Sequence, residues 1–200
     1  MLTIGVTGPT GAGKTTLLRA AEARGAMVLD CDEIYHGLLA KCPEMLDEIE
    51  VRFPGSVENG RFLDTKKLGK LVYEDPQALA DLERITHRYV RQEVEKALAA
   101  CDAPFAVIDA IALIESGLCK LCDETICVTA PTYARIRRIM KREGVSRDYA
   151  RSRVRAQKPD RFYISNCSHH IENNYPTAAA FSEAAGALLD QIKGDYTCQN

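Results

Sequence analysis

Short apolar runs alternate along this chain with longer segments whose apolar positions recur at helical spacing. Runs at residues 2–7, 26–30, 105–109 and 124–129, with a more polar one at 169–173, predict strands. Short continuous apolar runs are typical of strands buried on both faces of a parallel sheet. Strands that alternate with helices predict an α/β fold, with a doubly wound, largely parallel sheet and helices on both faces.

Helical spacing predicts helices over residues 15–23, 33–53 with a break near Pro43, 65–72, 76–100, 131–143, 147–157 and 176–193. Gly25, Gly144 and Gly194 follow three of these segments and are expected to end them. Turn dipeptides at 54–55 and 59–60 interrupt the longest helical stretch. We therefore expect a helical insert over approximately residues 33–100.

The composition indicates one globular domain spanning residues 1–200. Hydrophobic residues make up 46% of the chain and charged residues 27%, which are ordinary values for such a domain. The first strand follows Met1 almost at once, which leaves no room for a secretory signal. No apolar run approaches the roughly 18 residues that span a membrane. We expect a cytoplasmic protein with no membrane partner.

A glycine-rich stretch at residues 8–15, Gly-Pro-Thr-Gly-Ala-Gly-Lys-Thr, fits the phosphate-binding pattern G-x-x-x-x-G-K-[ST] at every fixed position. Its glycines let successive backbone N–H groups point at a triphosphate. Lys14 is expected to reach the β- and γ-phosphates, and the Thr15 hydroxyl to ligate Mg²⁺. The preceding strand and following helix favour an ATP site made by Gly8, Gly11, Ala12, Gly13, Lys14, Thr15 and Thr16.

Carboxylates follow two of the predicted strands. Asp30 and Asp32 end the second strand, and Asp109 ends the third. Ligands of open α/β sheets bind outside the carboxyl ends of the strands, so these groups are expected to face the phosphate site. Asp32 is either a helix cap or a group that accepts a proton or holds Mg²⁺. Asp109 resembles the carboxylate that orders Mg²⁺ in phosphate-loop enzymes.

The formal net charge of −2 conceals a basic segment. Residues 135–161 contain eleven Lys or Arg and three Asp or Glu. Two Arg-rich helices about Gly144 are either a solvated pair or a lid that brings guanidinium groups onto phosphate. A second basic stripe, with His87 and Arg91 on the helix 76–100, is either solvated or in contact with substrate phosphates.

The eight cysteines are interpreted as thiols, because an enzyme with this loop and no secretory signal works in a reducing compartment. The lone C-x-x-C at Cys119 and Cys122 lacks a second pair, so ordinary thiols are favoured over a zinc site. His169 and His170 lack the spacing of metal ligands and are interpreted as structural.

Seven segments spread over nearly the whole chain form a recognisable combination. They are I-G-V-T-G-P-T-G-A-G-K-T-T at 4–16, V-L-D-C-D-E-I at 28–34, I-T-H-R-Y-V-R at 85–91, V-I-D-A-I-A-L-I-E-S-G at 107–117, R-I-M-K-R-E-G-V-S at 138–146, R-V-R-A-Q at 153–157 and H-I-E-N-N at 170–174. In this combination the chain resembles the dephospho-coenzyme A kinases, enzymes of the last step of coenzyme A synthesis.

The resemblance implies that ATP phosphorylates the ribose 3′-hydroxyl of dephospho-coenzyme A. It implies Asp32 as the base, with Lys14 and Arg142 stabilising the transferred phosphoryl group. Residues 33–100 become the acceptor-binding region and residues 135–161 the lid. The remaining implied sites are Mg²⁺ at Thr15 and Asp109, nucleotide contacts from Arg138 and Asn173, and acceptor contacts from Asp30, His87, Arg91 and Glu115. Its partners are ATP and dephospho-coenzyme A, without nucleic acid, in a monomer or small homo-oligomer.

The chain departs from the usual family pattern at Arg88, at Ile111-Ala112 and at Cys167-Ser168. Two of these departures lie where the acceptor is expected. Another small-molecule or nucleotide kinase of the same fold is therefore one alternative, and a nucleotide-sensing or nucleic-acid-binding module that uses the basic segment is another. GTPases and ABC-type ATPases are excluded, because D-x-x-G, N-K-x-D and L-S-G-G-Q do not occur.

Overall fold

The computed structural model describes residues 1–59, 61–73 and 75–199, except for the side chain of residue 199. Contacts divide the chain into two compact units. The first comprises Met1–Leu29 and the described residues from Cys101 onward, and the second is Asp30–Ala100. Within the described ranges, no helix has both the length and the apolarity needed to cross a membrane.

The strands are β1 (Leu2–Thr7), β2 (Ala26–Asp30), β3 (Val57–Glu58), β4 (Phe62–Leu63), β5 (Phe105–Asp109), β6 (Glu124–Thr129) and β7 (His169–Glu172). The helices are α1 (Lys14–Glu22), α2 (Cys31–Lys41), α3 (Pro43–Arg52), α4 (Thr65–Tyr73), α5 (Pro76–Ala99), α6 (Thr132–Glu143), α7 (Arg147–Arg155), α8 (Asp160–Asn166) and α9 (Ala178–Gln199). A short 3₁₀ helix lies at Leu118–Leu121.

The central sheet has the strand order β2-β5-β1-β6-β7. β1 runs parallel to both of its neighbours, with Ile4 opposite Val107 on β5 and opposite Glu124 on β6, and β7 runs parallel to β6. All six residues of β1 are buried. The loop that follows β1 therefore opens at the carboxyl edge of the sheet, between the ends of two neighbouring strands, where ligands of such sheets bind.

Helices α1 and α9 pack together over the core of the first unit. Leu17 of α1 and Phe181 and Leu189 of α9 have no exposed surface. Burial of a large apolar side chain stabilises the fold by about 1.5–3 kcal/mol. This contact anchors the helix that begins at the glycine-rich loop.

The second unit is helical, with α2, α3 and α4 packed against the 24-residue helix α5. Its apolar faces bury Met45, Ile49, Ile85 and Val94. The two short strands β3 and β4 pair antiparallel between α3 and α4.

The five predicted strands of the sheet and the α/β fold are confirmed. The break at Pro43 is confirmed as well, because Pro43 is the first residue of α3. The backbone N–H that proline lacks would have no hydrogen-bond partner within the helix at this position. Gly144 ends α6 at φ 67°, as expected of a left-handed cap.

Two details of the helix assignment were wrong. Gly194 does not end α9, which continues to Gln199; an interior glycine costs only about 1 kcal/mol relative to alanine. The start of α2 was also placed too late: of the two roles open for Asp32, the helix cap belongs to Asp30, whose carboxylate accepts from the backbone N–H of Asp32 and Glu33 at 2.8 and 3.1 Å. The helix therefore begins two residues earlier than the pattern indicated. The β3–β4 hairpin and α8 were not predicted.

Candidate active site

The loop between β1 and α1 takes backbone conformations that only glycine adopts without strain. Gly8, Gly11 and Gly13 have φ of 138°, 79° and 114°. Gly13 is the N-cap residue of α1 and has no side chain to cap the helix. The N-terminus of α1 therefore follows the loop directly, and its helix dipole favours an anion there.

Carbonyl groups of the loop are held by side chains from two distant parts of the first unit. Arg138 on α6 donates to the carbonyls of Gly11 and Ala12, each at 3.0 Å, and to that of Asn173 at 3.3 Å. The Asn173 amide donates to the Ala12 carbonyl at 2.8 Å. A Cβ on Gly13 would lie 2.2 Å from that amide nitrogen. The two predicted nucleotide residues, Arg138 and Asn173, thus shape the loop itself.

A buried arginine, which the sequence had placed on the basic face of α6, holds the loop from beneath. Arg135 is 4% exposed and donates to the Thr10 carbonyl at 3.1 Å and to Gln157 Oε1 at 2.7 Å. Gln157 also bonds Thr10 twice. The backbone N–H of Thr10 donates to Gln157 Oε1 at 3.1 Å, and the Gln157 amide nitrogen donates to the Thr10 hydroxyl at 2.8 Å. Asp160 faces the same guanidinium at 3.4 Å. Burial lowers the pKa of Arg135, and the Asp160 carboxylate opposes that shift.

Sequence reasoning did not assign Arg135, Thr10 and Gln157 to this support. The only available signal was the A-Q dipeptide at 156–157, which the family resemblance had already marked. Nothing in the spacing of Arg135, Arg138 and Arg142 shows that the first of them is buried, because all three share one helix face.

The end of the loop carries the two groups expected at phosphate and metal. The Lys14 ammonium donates to the Gly8 carbonyl at 3.0 Å, which folds it back across the loop. Thr15 is exposed on the first turn of α1. Asp109 is the last residue of β5 and pairs in register with Val6, two residues before Gly8. The structure therefore places Asp109 at the same sheet edge as the loop.

The predicted lid consists of α6 and α7, which pack against each other. Arg142 is exposed near the end of α6 and pairs with Glu143, which also binds Arg153 of α7. Hydrogen bonds from Arg142 and charge from Arg153 lower the pKa of Glu143. Ser146 caps α7, since its hydroxyl accepts from the Tyr149 N–H at 3.3 Å.

Glu115 lies in the segment after β5. Burial and the charge of Glu115 raise the pKa of Tyr163.

The remaining predicted site residues belong to the second unit. Asp30 caps α2, and Asp32 is exposed on the first turn of that helix. His87 and Arg91 lie one turn apart on α5, where Arg91 also pairs with Glu95 at 2.8 Å. Asp32, His87 and Arg91 are thus side chains of one helical unit.

Each departure from the family pattern has a structural partner. Arg88 forms an ion pair with Glu48, which joins α5 to α3. The Ile111 carbonyl accepts from the Thr7 hydroxyl at 3.0 Å. Ser168 and Thr125 exchange backbone and hydroxyl hydrogen bonds at 2.8 to 3.1 Å, which ties the start of β7 to β6. These departures are accommodated by local contacts.

The eight cysteines are free thiols. Burial raises the pKa of Cys122, one member of the C-x-x-C, to about 12. Among the described residues, no group of three or more His, Cys, Asp or Glu is arranged to hold a metal ion. His169 pairs with Glu124 at 3.0 Å and His170 bonds Thr129 at 2.7 Å.

A glycine loop at the carboxyl edge of a parallel sheet, ending in Lys-Thr at a helix N-terminus, defines a P-loop kinase of the α/β class. A model of the family described as dephospho-CoA kinase matches residues 2–178. The chain belongs to the dephospho-CoA kinase family, the ATP-dependent kinases of the last step of coenzyme A biosynthesis.

Relatives and solved structures agree with this membership. A dephospho-CoA kinase of Thermus thermophilus is 35% identical over 192 residues, which cover 96% of this chain and 92% of the relative. A solved structure from Thermus thermophilus superposes with a TM-score of 0.77 at 31% identity, covering 94% of this chain and 97% of the other. Dephospho-CoA kinase from Campylobacter jejuni has a TM-score of 0.67 at 23% identity, covers 97% and 98% of the two chains, and supports the fold.

Proposed function

We propose that this chain transfers the γ-phosphoryl group of ATP to the ribose 3′-hydroxyl of dephospho-coenzyme A through the residues assigned here. The observation that carries the proposal is the loop of Gly8, Gly11 and Gly13, whose conformation is supported by Arg135, Arg138 and Asn173. Phosphoryl transfer depends mainly on positioning and on charge stabilisation, and a loop supported in this way supplies both.

The donor end of the site consists of the loop and α6. Backbone N–H groups of the loop at the N-terminus of α1 bind the β- and γ-phosphates of ATP. Lys14 and Arg142 place positive charge on the phosphoryl group in transit, which stabilises the transition state. In the structure Arg142 is engaged by Glu143, so this role requires it to exchange one carboxylate for the phosphate.

The acceptor end consists of Asp32 as general base, supported by Asp30, His87, Arg91 and Glu115. Asp32 is exposed and is not needed as the cap of α2, since Asp30 has that task. A carboxylate at this position accepts the proton of the 3′-hydroxyl as the hydroxyl attacks phosphorus. The Arg91 guanidinium and the His87 ring N–H donors suit the diphosphate of the acceptor.

The chain offers oxygen ligands for Mg²⁺ beside the loop. The Thr15 hydroxyl is exposed on the first turn of α1, and the Asp109 carboxylate ends the neighbouring strand. Hydroxyl and carboxylate oxygens are the donors that Mg²⁺ prefers, with water and phosphate oxygens completing its shell, so these residues fit the ion. When bound, Mg²⁺ neutralises developing charge on the phosphate oxygens.

The proposal also covers the domain organisation, the localisation and the oligomeric state. We propose one kinase domain, with residues 33–100 binding the acceptor and residues 135–161 closing as a lid over the donor. We further propose a cytoplasmic enzyme that is a monomer or small homo-oligomer, with no nucleic-acid partner.

A coupled ADP-release assay with Mg-ATP tests the proposal. The acceptor panel contains dephospho-coenzyme A, adenosine, AMP, CMP, shikimate and gluconate, with a blank that lacks any acceptor. We expect turnover with dephospho-coenzyme A and a product phosphorylated at the 3′-oxygen, identified by mass and phosphorus NMR. Preferred turnover of another acceptor would overturn the acceptor assignment, and ATP binding without any turnover would overturn the catalytic one.

A further inference from the structure

The second unit contains an open groove of about 580 Å³ that none of the assigned catalytic residues lines. It lies among the C-terminal half of α2, the start of α3 and strand β4. Leu39, Leu46 and Phe62 give it an apolar wall, and Phe62 is 67% exposed. The Phe62 ring is therefore accessible to a ligand that enters the groove.

The groove lies on the same face of α2 as Asp32. His36, Leu39 and Ala40 line the groove from α2 and follow Asp32 by four, seven and eight positions. Positions at these spacings lie on one face of an α-helix. A ligand whose hydroxyl meets Asp32 therefore has a continuous path along α2 into the groove.

Distances along this path fit one class of ligand. His36 lies about 6 Å and Ala40 about 12 Å beyond Asp32 along the helix axis. In a nucleoside 5′-diphosphate ester of a pantetheine arm, the ribose 3′-oxygen is roughly ten bonds, or about 12 Å when extended, from the dimethyl carbon of the arm. The diphosphate falls about half-way between these two points.

The groove offers basic side chains and an apolar wall, which match the diphosphate and the arm of this ligand. His36, Lys41 and Arg61 are its ionisable side chains of basic type, and none of its described lining residues is a carboxylate. Basic side chains complement the diphosphate. The apolar wall of Leu39, Leu46 and Phe62 complements the dimethyl carbon and the uncharged amide chain.

We propose that this groove binds the pantetheine arm of the acceptor, with Phe62 and Leu39 as specificity-determining contacts that distinguish dephospho-coenzyme A from nucleotides without the arm. The inference rests on the proposed function, because it takes Asp32 as the group that meets the 3′-hydroxyl. It adds a subsite that the sequence motifs do not reach, since Leu39 and Phe62 lie outside every segment of the family resemblance.

The test compares Phe62→Ala with Tyr73→Ala, a matched loss of an aromatic ring that is 88% exposed in the same unit but away from the groove. We expect Phe62→Ala to raise KM for dephospho-coenzyme A about tenfold, the effect of losing one buried aromatic contact, with kcat nearly kept. Tyr73→Ala should leave both parameters as they are. Leu39→Gln serves as a second groove variant, and circular dichroism confirms that each variant is folded.

Calorimetric titration with 4′-phosphopantetheine, which carries the arm without the adenosine, tests the groove apart from catalysis. We expect binding to the wild-type protein that weakens about tenfold in Phe62→Ala, while AMP affinity stays the same. If wild-type protein does not phosphorylate dephospho-coenzyme A, the proposed function fails. The titration still shows whether the groove binds the pantetheine arm, because it does not depend on turnover. Unchanged KM and unchanged 4′-phosphopantetheine affinity in both groove variants would overturn the inference, as would a loss of AMP affinity instead.

Discussion

The glycine loop of the first unit and the groove of the second, which we propose to bind donor and acceptor, are built in opposite ways. The loop is fixed by its backbone: its glycines have positive φ, and buried or half-buried side chains hold its carbonyls. The groove is a surface of side chains, and several of those that line it are exposed. The donor, ATP, is shared by many kinases, whereas the acceptor differs among them. If both assignments hold, backbone geometry recognises the substrate that many kinases share, and exchangeable side chains recognise the one that is particular to this family.

The largest effect is expected from Asp32→Asn, which tests whether the second unit contributes chemistry as well as binding. The amide cannot take the proton of the attacking hydroxyl, so kcat should fall roughly 10²- to 10³-fold. The dissociation constant of ATP, measured by calorimetry, should change little, because the donor loop is untouched. Glu33→Gln, a neutralised neighbour on the same turn, is the control. Turnover that survives Asp32→Asn would remove this residue from the role of base.

Arg142→Ala comes next and tests whether the lid acts on the transition state. Removal of a cation from the transferred phosphoryl group should lower kcat about 10²-fold, with the dissociation constant of ATP within about threefold of wild type. Arg84→Ala, which removes an exposed arginine of the second unit, should leave kcat unchanged. Equal losses in kcat and in ATP binding would show that Arg142 acts on the ground state.

Gly13→Ala tests whether the backbone conformation of the glycine loop is needed for ATP binding. In Gly13→Ala the new Cβ meets the Asn173 amide at a φ of 114°, so ATP affinity should fall at least about tenfold and the melting temperature should decrease. Gly194→Ala is the matched control, because its Cβ meets nothing within 4 Å inside α9. It should stabilise the chain by up to about 1 kcal/mol. Unchanged ATP affinity in Gly13→Ala would show that the loop is less constrained than its contacts indicate.

The smallest effect is expected from Arg88→Ala, at a departure from the family pattern near the acceptor residues. Loss of its partly exposed ion pair with Glu48 should reduce the free energy of unfolding by no more than about 1 kcal/mol. Steady-state kinetics with dephospho-coenzyme A should change less than about twofold. A double-mutant cycle with Glu48→Ala isolates the pair, and a large rise in KM would instead make Arg88 an acceptor contact.

The same contrast explains what the sequence could predict. The donor loop was recognised because Gly8, Gly11, Gly13 and Lys14 sit at fixed spacing in one short segment, and local backbone geometry is encoded locally. The start of α2 was predicted two residues too late, because Asp32 suits a helix cap as well as Asp30 does. The structure shows Asp30 in that role.

The burial of Arg135 and the groove beside Phe62 could not be predicted from the sequence, for a different reason. Arg135 has the same helical spacing as its exposed neighbours, and only the folded first unit shows that it supports the loop. The groove beside Phe62 is made by segments of α2, α3 and β4 that no single pattern connects. The end of α9 was misjudged at Gly194 because packing against α1 outweighs the weak preference of one glycine.

The position of Asn173 has a consequence for how the protein is made. Its amide holds Ala12, a contact across 161 residues, so the nucleotide loop is complete only when the segment that follows β7 has been synthesised. A nascent chain that stops short of β7 has the whole glycine motif and lacks this clamp. Full affinity for ATP should therefore arise during translation only after Asn173 has emerged and folded back onto the loop.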